Sequence, residues 1–412
     1  MINKQGELSD KIVNFFKNYW QWLAVAVIVA IGIWIRVQPL KNLQCLEGML
    51  CLQALDPYYI YRQTLYLIEN SFHVMPFDYF KYFPVGAVPY NNFQMTYYIP
   101  ATLFVMVHSV FNSLTFMTFA QWYPAVLGGL FAVPMYLIGR ELYNKYVGVL
   151  SSALLVFSQS VLYRTSAGFF EKEATSGLIM LFAIFFFVRA TNNKSYLSAI
   201  ISGLFLAIMS LAWNGAGVLV IILSLFTVFS IFFKPDNKFI ERQYIIFVLI
   251  GVVCANFLGF PNVALNMGSS ISMLCFGICL LIILKTFVFR FYGVSEDKKF
   301  WVYPILSLIG GVSFLVLSLF VKRFAATMNY FMSFIFGGRD PTGTLGVVGT
   351  TVAENSGATF GDIFARMNTA PASNALSQFA LIDMRLSINL LFILVMLVVL
   401  VNYIFYRKEK KD

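Results

Sequence analysis

Apolar runs long enough to cross a bilayer recur along the whole chain, separated by short loops in which the basic residues collect. Their approximate bounds are 20–37, 119–139, 146–163, 174–188, 196–213, 215–233, 244–260, 264–289, 301–321 and 389–406. Backbone inside hydrocarbon has no water to bond with, so each run must satisfy its own N–H and C=O groups as a helix. The pattern predicts an all-α polytopic membrane protein of about 10 transmembrane helices with two long external loops. With 59% hydrophobic and 12% charged residues, the chain is far too apolar for a soluble domain.

Charge then sets the orientation. A further apolar stretch, 97–110, is read as an interfacial helix, because only then do the short basic loops share one side. Those loops hold Lys4, Lys11 and Lys17; Arg140 and Lys145; Arg189 and Lys194; Lys234, Lys238 and Arg242; Arg290, Lys298 and Lys299; and the Arg407-Lys408-Glu409-Lys410-Lys411 tail. The turns at 213–217 and 259–262 carry no positive charge. This asymmetry places both termini in the cytoplasm. It also accounts for the net charge of +10 without a nucleic-acid partner, since the cations are dispersed rather than gathered into a patch. The run at 20–37 lacks a small-residue cleavage pattern and stays as the first helix. The expected organisation is a cytoplasmic N-terminus (1–19), the first transmembrane helix (20–37), a first external loop with interfacial helices (38–118), a transmembrane core (119–321), a long external loop (322–388), a last helix (389–406) and a basic cytoplasmic tail (407–412), with no soluble C-terminal domain.

Three external stretches then offer carboxylates. Asp56-Pro57 reads as a helix N-cap followed by proline at the first helical position, which is either a plain helix start or a device for aiming an acid. Glu171-Lys172-Glu173, seven residues beyond Arg164, supplies two acids before an apolar run. They are either ligands for a hard divalent cation or solvated acids at the positive end of a helix dipole. Thr351-Val352-Ala353-Glu354 has the form of a capping box, inside a loop with seven glycines between Gly337 and Gly361. Arg164 and Arg385 stand where arginines snorkel, and Arg385 is also placed for a phosphate contact. His73 and His108 lack partners at metal-ligand spacing and read as structural. Cys254, Cys275 and Cys279 read as small buried hydrophobes, whereas Cys45 and Cys51 share one external loop and could pair if that face is oxidising.

These stretches together resemble a known family. Asp56-Pro57-Tyr58-Tyr59-x-Tyr61-Arg62, followed by Asp78-Tyr79-Phe80-Lys81-Tyr82-Phe83-Pro84-Val85-Gly86, resembles the first external loop of the catalytic subunits of oligosaccharyltransferases, in the archaeal dolichyl-(pyro)phosphooligosaccharide–protein form. Arg164 to Glu173 resembles their Arg-x(6)-acid-x-acid motif, and Thr351 to Glu354 their TIxE or SVSE motif. The resemblance implies the glycosyltransferase type C fold at a cell membrane, with the active site external. It implies transfer of a glycan from a lipid-linked oligosaccharide donor to asparagine of an acceptor polypeptide in an Asn-x-Ser/Thr sequon, assisted by a divalent cation, Mn²⁺ or Mg²⁺. Asp56, Glu171 and Glu173 would hold the metal, Asp56 and Glu354 would contact the acceptor amide, and Arg164 would support the cluster. Arg62, Thr351 and Arg385 would contact substrate.

The chain departs from that pattern at two places. Family members commonly have aspartate first in the paired-acid motif, where this chain has Glu171, and the intervening Lys172 lowers the local negative charge. Relatives also continue into a soluble domain whose WWDxG motif reads the sequon, whereas the sequence in hand runs to Asp412 without a Trp-Trp pair. The expectation drawn from this is that a separate sequon-recognising domain or subunit supplies that part. The alternatives are a non-sequon acceptor, or a catalytically incomplete subunit or scaffold needing a partner.

Overall fold

The computed structural model describes residues 2–43, 51–89, 94–233, 238–258, 265–267, 269–291 and 296–322, together with 325 and 328. The chain divides into two compact units, Met1–Leu317 and Ser318–Asp412. The first is described below; the expected last helix at 389–406 lies outside the described residues.

Among the described residues the regular structure is helical. In chain order the helices are α1 (Ile2–Val37), α2 (Asp56–Glu69), α3 (Gln94–His108), α4 (Phe116–Leu130), α5 (Ala132–Leu142), α6 (Lys145–Val156), α7 (Gln159–Arg164), α8 (Lys172–Asn193), α9 (Tyr196–Ser210), α10 (Ala216–Phe233), α11 (Lys238–Val248), α12 (Cys254–Leu258), α13 (Ser270–Phe291) and α14 (Glu296–Phe320). By length and composition five stretches can cross a membrane: Tyr19–Lys41, Phe116–Leu142, Lys172–Asn193, Lys238–Phe257 and Ile271–Phe291. Four shorter apolar helices accompany them, Lys145–Val156, Tyr196–Ser210, Ala216–Ile231 and Leu308–Phe320. The run expected at 119–139 comprises α4 and α5, which meet at Phe131 in right-handed helical geometry (φ −55°, ψ −25°) and together make one spanning stretch, Phe116–Leu142. The run at 146–163 stops at Val156 and restarts as the one-turn-and-a-half α7.

Local chemistry sets several of these ends. Thr115 caps α4 by accepting from the Thr118 amide, and Asn144 caps α6 by accepting from Tyr146 and Val147. Two helices that matter for function begin without such a cap. The residue before α2 is Leu55, so Asp56 is the first helical residue rather than its N-cap, and its exposed carboxylate is not taken up in capping. Glu171 occupies the N-cap of α8 in extended geometry and makes no cap bond with its side chain.

Three apolar clusters hold the unit together. One joins α8, α9, α10, α11 and α13 around Phe187, Leu206, Tyr244 and Phe247. A second joins α1, α5, α6 and α8 around Phe131, Tyr136 and Val156. The third joins Leu52, α2, α3 and α4 with Phe170. Because Phe170 lies one residue before Glu171, burying its ring against Phe116 and Tyr123 brings the paired acids up to the α2 side. Tyr123 also shares a buried hydrogen bond of 2.7 Å with Thr175, pinning α4 to the first turns of α8.

Several polar groups inside this apolar frame are matched, while the buried Tyr136 hydroxyl and Ser176 Oγ have no hydrogen-bond partner among the described residues. Gln243 donates to the Phe187 carbonyl at 2.8 Å, and Ser224 and Tyr244 lie 2.6 Å apart. Lys285 of α13 and Glu241 of α11 form an ion pair at 2.5 Å, with side chains only 2% and 5% exposed. Cys275 and Cys279 are buried free thiols, as their apolar setting predicts, and Cys254 is free and half-buried. Cys51 is disulfide-bonded; Cys45 lies outside the described residues.

Candidate active site

The segment 165–171, between α7 and α8, is buried throughout although it has no regular structure. Buried backbone must find partners, and here neighbouring elements supply them. The Ala167 amide donates to the Arg36 carbonyl at 2.9 Å, the Gly168 amide to the Gln121 carbonyl at 2.8 Å, and the Gln53 amide to the Gly168 carbonyl at 2.8 Å. Gln53 Nε2 donates to the Ala167 carbonyl and Gln121 Nε2 to the Cys51 carbonyl, each at 2.8 Å. Gly168 sits at φ +86°, a left-handed conformation that a side chain strains, and a Cβ there would meet Gln53 at 3.2 Å. The segment is thus sewn to α1, α4 and the residues before α2, and that fixes where its carboxylates stand.

Those carboxylates are Glu171, 6% exposed, and Glu173, whose side chain is 16% exposed. Glu171 is buried and Glu173 only partly exposed, which disfavours the reading in which two acids are simply solvated at a helix start. Arg164 Nη1 faces both, 3.8 Å from Glu171 Oε2 and 3.7 Å from Glu173 Oε1, and its guanidinium also lies 5.6 Å from the centre of the Phe169 ring. Lys172 Nζ stands 3.9 Å from Glu173 Oε1. These separations exceed a hydrogen bond, so the cations moderate the site without saturating it. Burial, then the charge of Glu173 and a hydrogen bond with it, pushes the Glu171 carboxyl up to about 8 against the pull of Lys172. Asp56 raises it further, which puts the α2 acid within electrostatic reach of the pair.

Asp56 owes its place to α2, anchored by Ile60 and Leu67 in the cluster shared with Phe170. One turn on, Arg62 turns to the buried Asp78, with Nη2 2.5 Å from Oδ2. Gln63 Nε2 donates to the same oxygen at 3.0 Å, and the Phe80 amide donates to Oδ1 at 3.0 Å. Asp78 and Ala87 also exchange backbone hydrogen bonds of 2.9 and 3.0 Å, closing the loop between them. Arg62, expected as a substrate contact, therefore gives one arm to this loop, with the Tyr59 and Phe80 rings on its flanks.

The donor set fits a hard cation. Glu173 Oε2 is buried with no hydrogen-bond partner among the described residues, and the buried Glu171 and partly buried Glu173 share one site in which the ion-pair distances to Arg164 are 3.8 and 3.7 Å. Carboxylate oxygens are the ligands Mg²⁺ and Mn²⁺ prefer. The third acid is not folded into the same cage, since among the described residues no group of three or more His, Cys, Asp or Glu side chains is arranged to hold a metal. His73 and His108 take no part: each Nδ1 faces a backbone carbonyl, Asn70 at 2.9 Å and Leu114 at 3.0 Å. Thr351, Glu354 and Arg385 lie outside the described residues.

Sequence reasoning passed over Gln53, Gln121 and Arg36, which hold the segment. A glutamine inside an apolar run is the available signal for Gln121, but only the fold shows which carbonyl it seeks.

Comparison with known proteins places this arrangement. Residues 27–402 match the family model described as oligosaccharyl transferase STT3, N-terminal. A dolichyl-phosphooligosaccharide-protein glycotransferase of Methanocaldococcus jannaschii is 28% identical over 213 residues, which is 45% of this chain and 23% of that protein. Subunit STT3B of the Arabidopsis thaliana dolichyl-diphosphooligosaccharide–protein glycosyltransferase is 25% identical over 63% of this chain and 36% of its own length. The fold matches the archaeal oligosaccharyltransferase AglB of Archaeoglobus fulgidus, solved with an inhibitory peptide and a dolichol-phosphate, at a TM-score of 0.64 and 17% identity over 82% of this chain and 41% of that one. The chain spans less than half the length of each of these relatives. The family model covers nearly all of it, and the chain belongs to the STT3 family of oligosaccharyltransferases.

Proposed function

We propose that this multi-pass membrane protein carries the catalytic carboxylates of an oligosaccharyltransferase, moving a glycan from a dolichyl phosphate or pyrophosphate to the asparagine amide of an Asn-x-Ser/Thr acceptor at the external face. The observation that carries the reading is the buried Glu171 and partly buried Glu173, with one oxygen unpartnered among the described residues, at the head of α8 within electrostatic reach of Asp56. Its support is the family membership and the match of Asp56, Arg164, Glu171, Glu173, Thr351 and Glu354 to the family's motifs.

In this reading Glu171 and Glu173 would hold a divalent cation, Mn²⁺ or Mg²⁺, and Asp56 would join them as the third ligand when it is bound. When bound, it neutralises charge on the leaving lipid phosphate. The protein's own task is the acceptor. An amide nitrogen delocalises its lone pair into the carbonyl and is a poor nucleophile until its N–H groups are gripped. Asp56 and Glu354 accept those hydrogens, the nitrogen bonds to the anomeric carbon as the carbon–oxygen bond to phosphate breaks, one of the gripped protons passes from the nitrogen to its carboxylate acceptor, and the lipid phosphate leaves as the anion. Arg164 balances the carboxylate charge, Thr351 positions the peptide, and Arg62 and Arg385 contact the anionic donor.

Membranes containing the protein, supplied with a sequon peptide, a dolichyl-linked donor and Mn²⁺, are expected to form glycopeptide. Asp56→Ala should reduce the rate by about 10²-fold or more, the scale of losing one electrostatic stabiliser. Equal transfer by the two proteins would refute the assignment of Asp56.

The raised Glu171 carboxyl sets a pH dependence. Below about 8 the metal-free pair retains a proton that a cation must displace. Mn²⁺ affinity is expected to fall about tenfold per unit as pH drops from 8 toward 5 and to level off above 8. Calorimetric titration in buffers of different ionisation heat should find about one proton released per ion at pH 7. An affinity flat between pH 5 and 8 would count against the pair as ligands.

A further inference from the structure

The largest fully buried side chain in the described unit is a cation far from any acid. Arg36, in the last turn of α1, is 1% exposed. Among the described residues no carboxylate pairs with it, and burial alone bears on its charge. Its fork is satisfied by three neutral acceptors on three elements: Nε donates to Thr165 Oγ1 at 2.7 Å, Nη1 to the Gly32 carbonyl at 3.0 Å and Nη2 to the Val156 carbonyl at 2.9 Å. Thr165 passes the bond on, donating its hydroxyl hydrogen to the Val161 carbonyl in α7. The backbone of Arg36 joins in, since its carbonyl accepts the Ala167 amide at 2.9 Å.

A buried guanidinium costs several kcal/mol unless its hydrogen bonds are complete. A residue chosen only to fill this space would be apolar. What arginine offers is a rigid planar fork that can hold the end of α1, the end of α6 and the residue after α7 at once. The fold is cleared for it on the opposite side: a Cβ on Gly128 of α4 would stand 2.5 Å from both Arg36 Nε and Thr165 Oγ1.

Thr165 follows Arg164 directly and opens the segment that ends at Glu171. We infer that Arg36 is a positioning residue: by clamping Thr165 and Ala167 it sets the segment 165–171, and through it the separation of Arg164, Glu171 and Glu173. It touches neither substrate nor carboxylate. The inference rests on the proposed role of Glu171 and Glu173 as cation ligands, and the test below separates the two.

The test uses the membrane protein in detergent with Arg36→Met, Gly128→Ala and Thr165→Val, and Thr165→Ser as the conservative variant that keeps the hydroxyl. Two measurements are made on each, hydrogen exchange of peptides covering 165–171 and Mn²⁺ binding by electron paramagnetic resonance. Arg36→Met and Gly128→Ala are expected to speed exchange in 165–171 by at least tenfold and to weaken Mn²⁺ binding about tenfold, the scale of an outer-shell change. Thr165→Val should do the same more mildly, and Thr165→Ser should behave as wild type.

Folded Arg36→Met with wild-type exchange in 165–171 would overturn the inference. So would faster exchange with undiminished Mn²⁺ affinity, because the clamp would then not govern the carboxylates. If Arg36→Met does not fold, Gly128→Ala and Thr165→Val decide by the same two readouts. Failure of the wild type to bind Mn²⁺ would defeat the cation reading of Glu171 and Glu173, and the exchange data would then rule alone on whether Arg36 holds the segment.

Discussion

Glu173→Gln is expected to lower glycan transfer by roughly 10²- to 10³-fold while leaving the fold intact, because it removes a charge at nearly constant volume. Glu171, not Glu173, occupies the N-cap of α8, and Glu173 Oε2 has no hydrogen-bond partner among the described residues, so the helix start does not depend on this side chain. The new amide would place a donor or a neutral oxygen where a cation needs an anionic one. The same change has a second consequence. Glu173 is the second cause, after burial, of the raised Glu171 carboxyl, so Glu171 should titrate closer to its ordinary range in the variant. Carboxylate infrared bands followed against pH would record that fall. Groups that act as a unit are far from additive, so Asp56→Ala in the Glu173→Gln background should cost little more than either change alone. Unimpaired transfer by Glu173→Gln, in a protein whose Glu171 has shifted, would show that the pair is electrostatically coupled yet catalytically idle.

Much of this site was open to sequence reasoning. The acids at 171 and 173 stand out because charge is scarce in so apolar a chain, and the positive-inside pattern set them apart from the basic loops. Helix identity was equally legible, since hydropathy dictates it for every spanning run. What escaped was long-range. Asp56 read as a helix cap because Asp-Pro favours that use locally, but the helix takes Asp56 as its first residue and leaves its carboxylate exposed. Arg62 was expected to contact substrate, and the sequence did not show that its partner is Asp78, sixteen positions away and buried. Arg36 lay inside an apolar run whose composition said only that the chain crosses the membrane. Two of its three acceptors stand 120 and 129 positions distant, and no periodicity reports such a distance.

Lys285→Met is expected to be the most destabilising single change in the described helices, costing about 3–5 kcal/mol. Lys285 falls inside the apolar run of α13 and was counted there as part of a span, while Glu241 lay unremarked among basic residues at the start of α11. Together they form a pair 2.5 Å long and nearly fully buried, with the Phe289 ring 4.7 Å from the ammonium. Removing the lysine takes a partner at 2.5 Å from a carboxylate that is only 4% exposed. The reverse change should be milder. In Glu241→Leu the four-carbon arm of Lys285 can carry its charge toward the headgroups, and the aromatic face remains as a partner. Removing both charges, in Glu241→Leu with Lys285→Met, leaves apolar groups of similar size and should restore stability to within about 1–2 kcal/mol of the wild type. Unfolding in mixed micelles would give all four corners of the cycle. Equal losses in the two single variants would argue against the snorkelling asymmetry. A double variant as unstable as Lys285→Met would mean that the pair specifies the packing of α11 on α13 rather than merely neutralising itself.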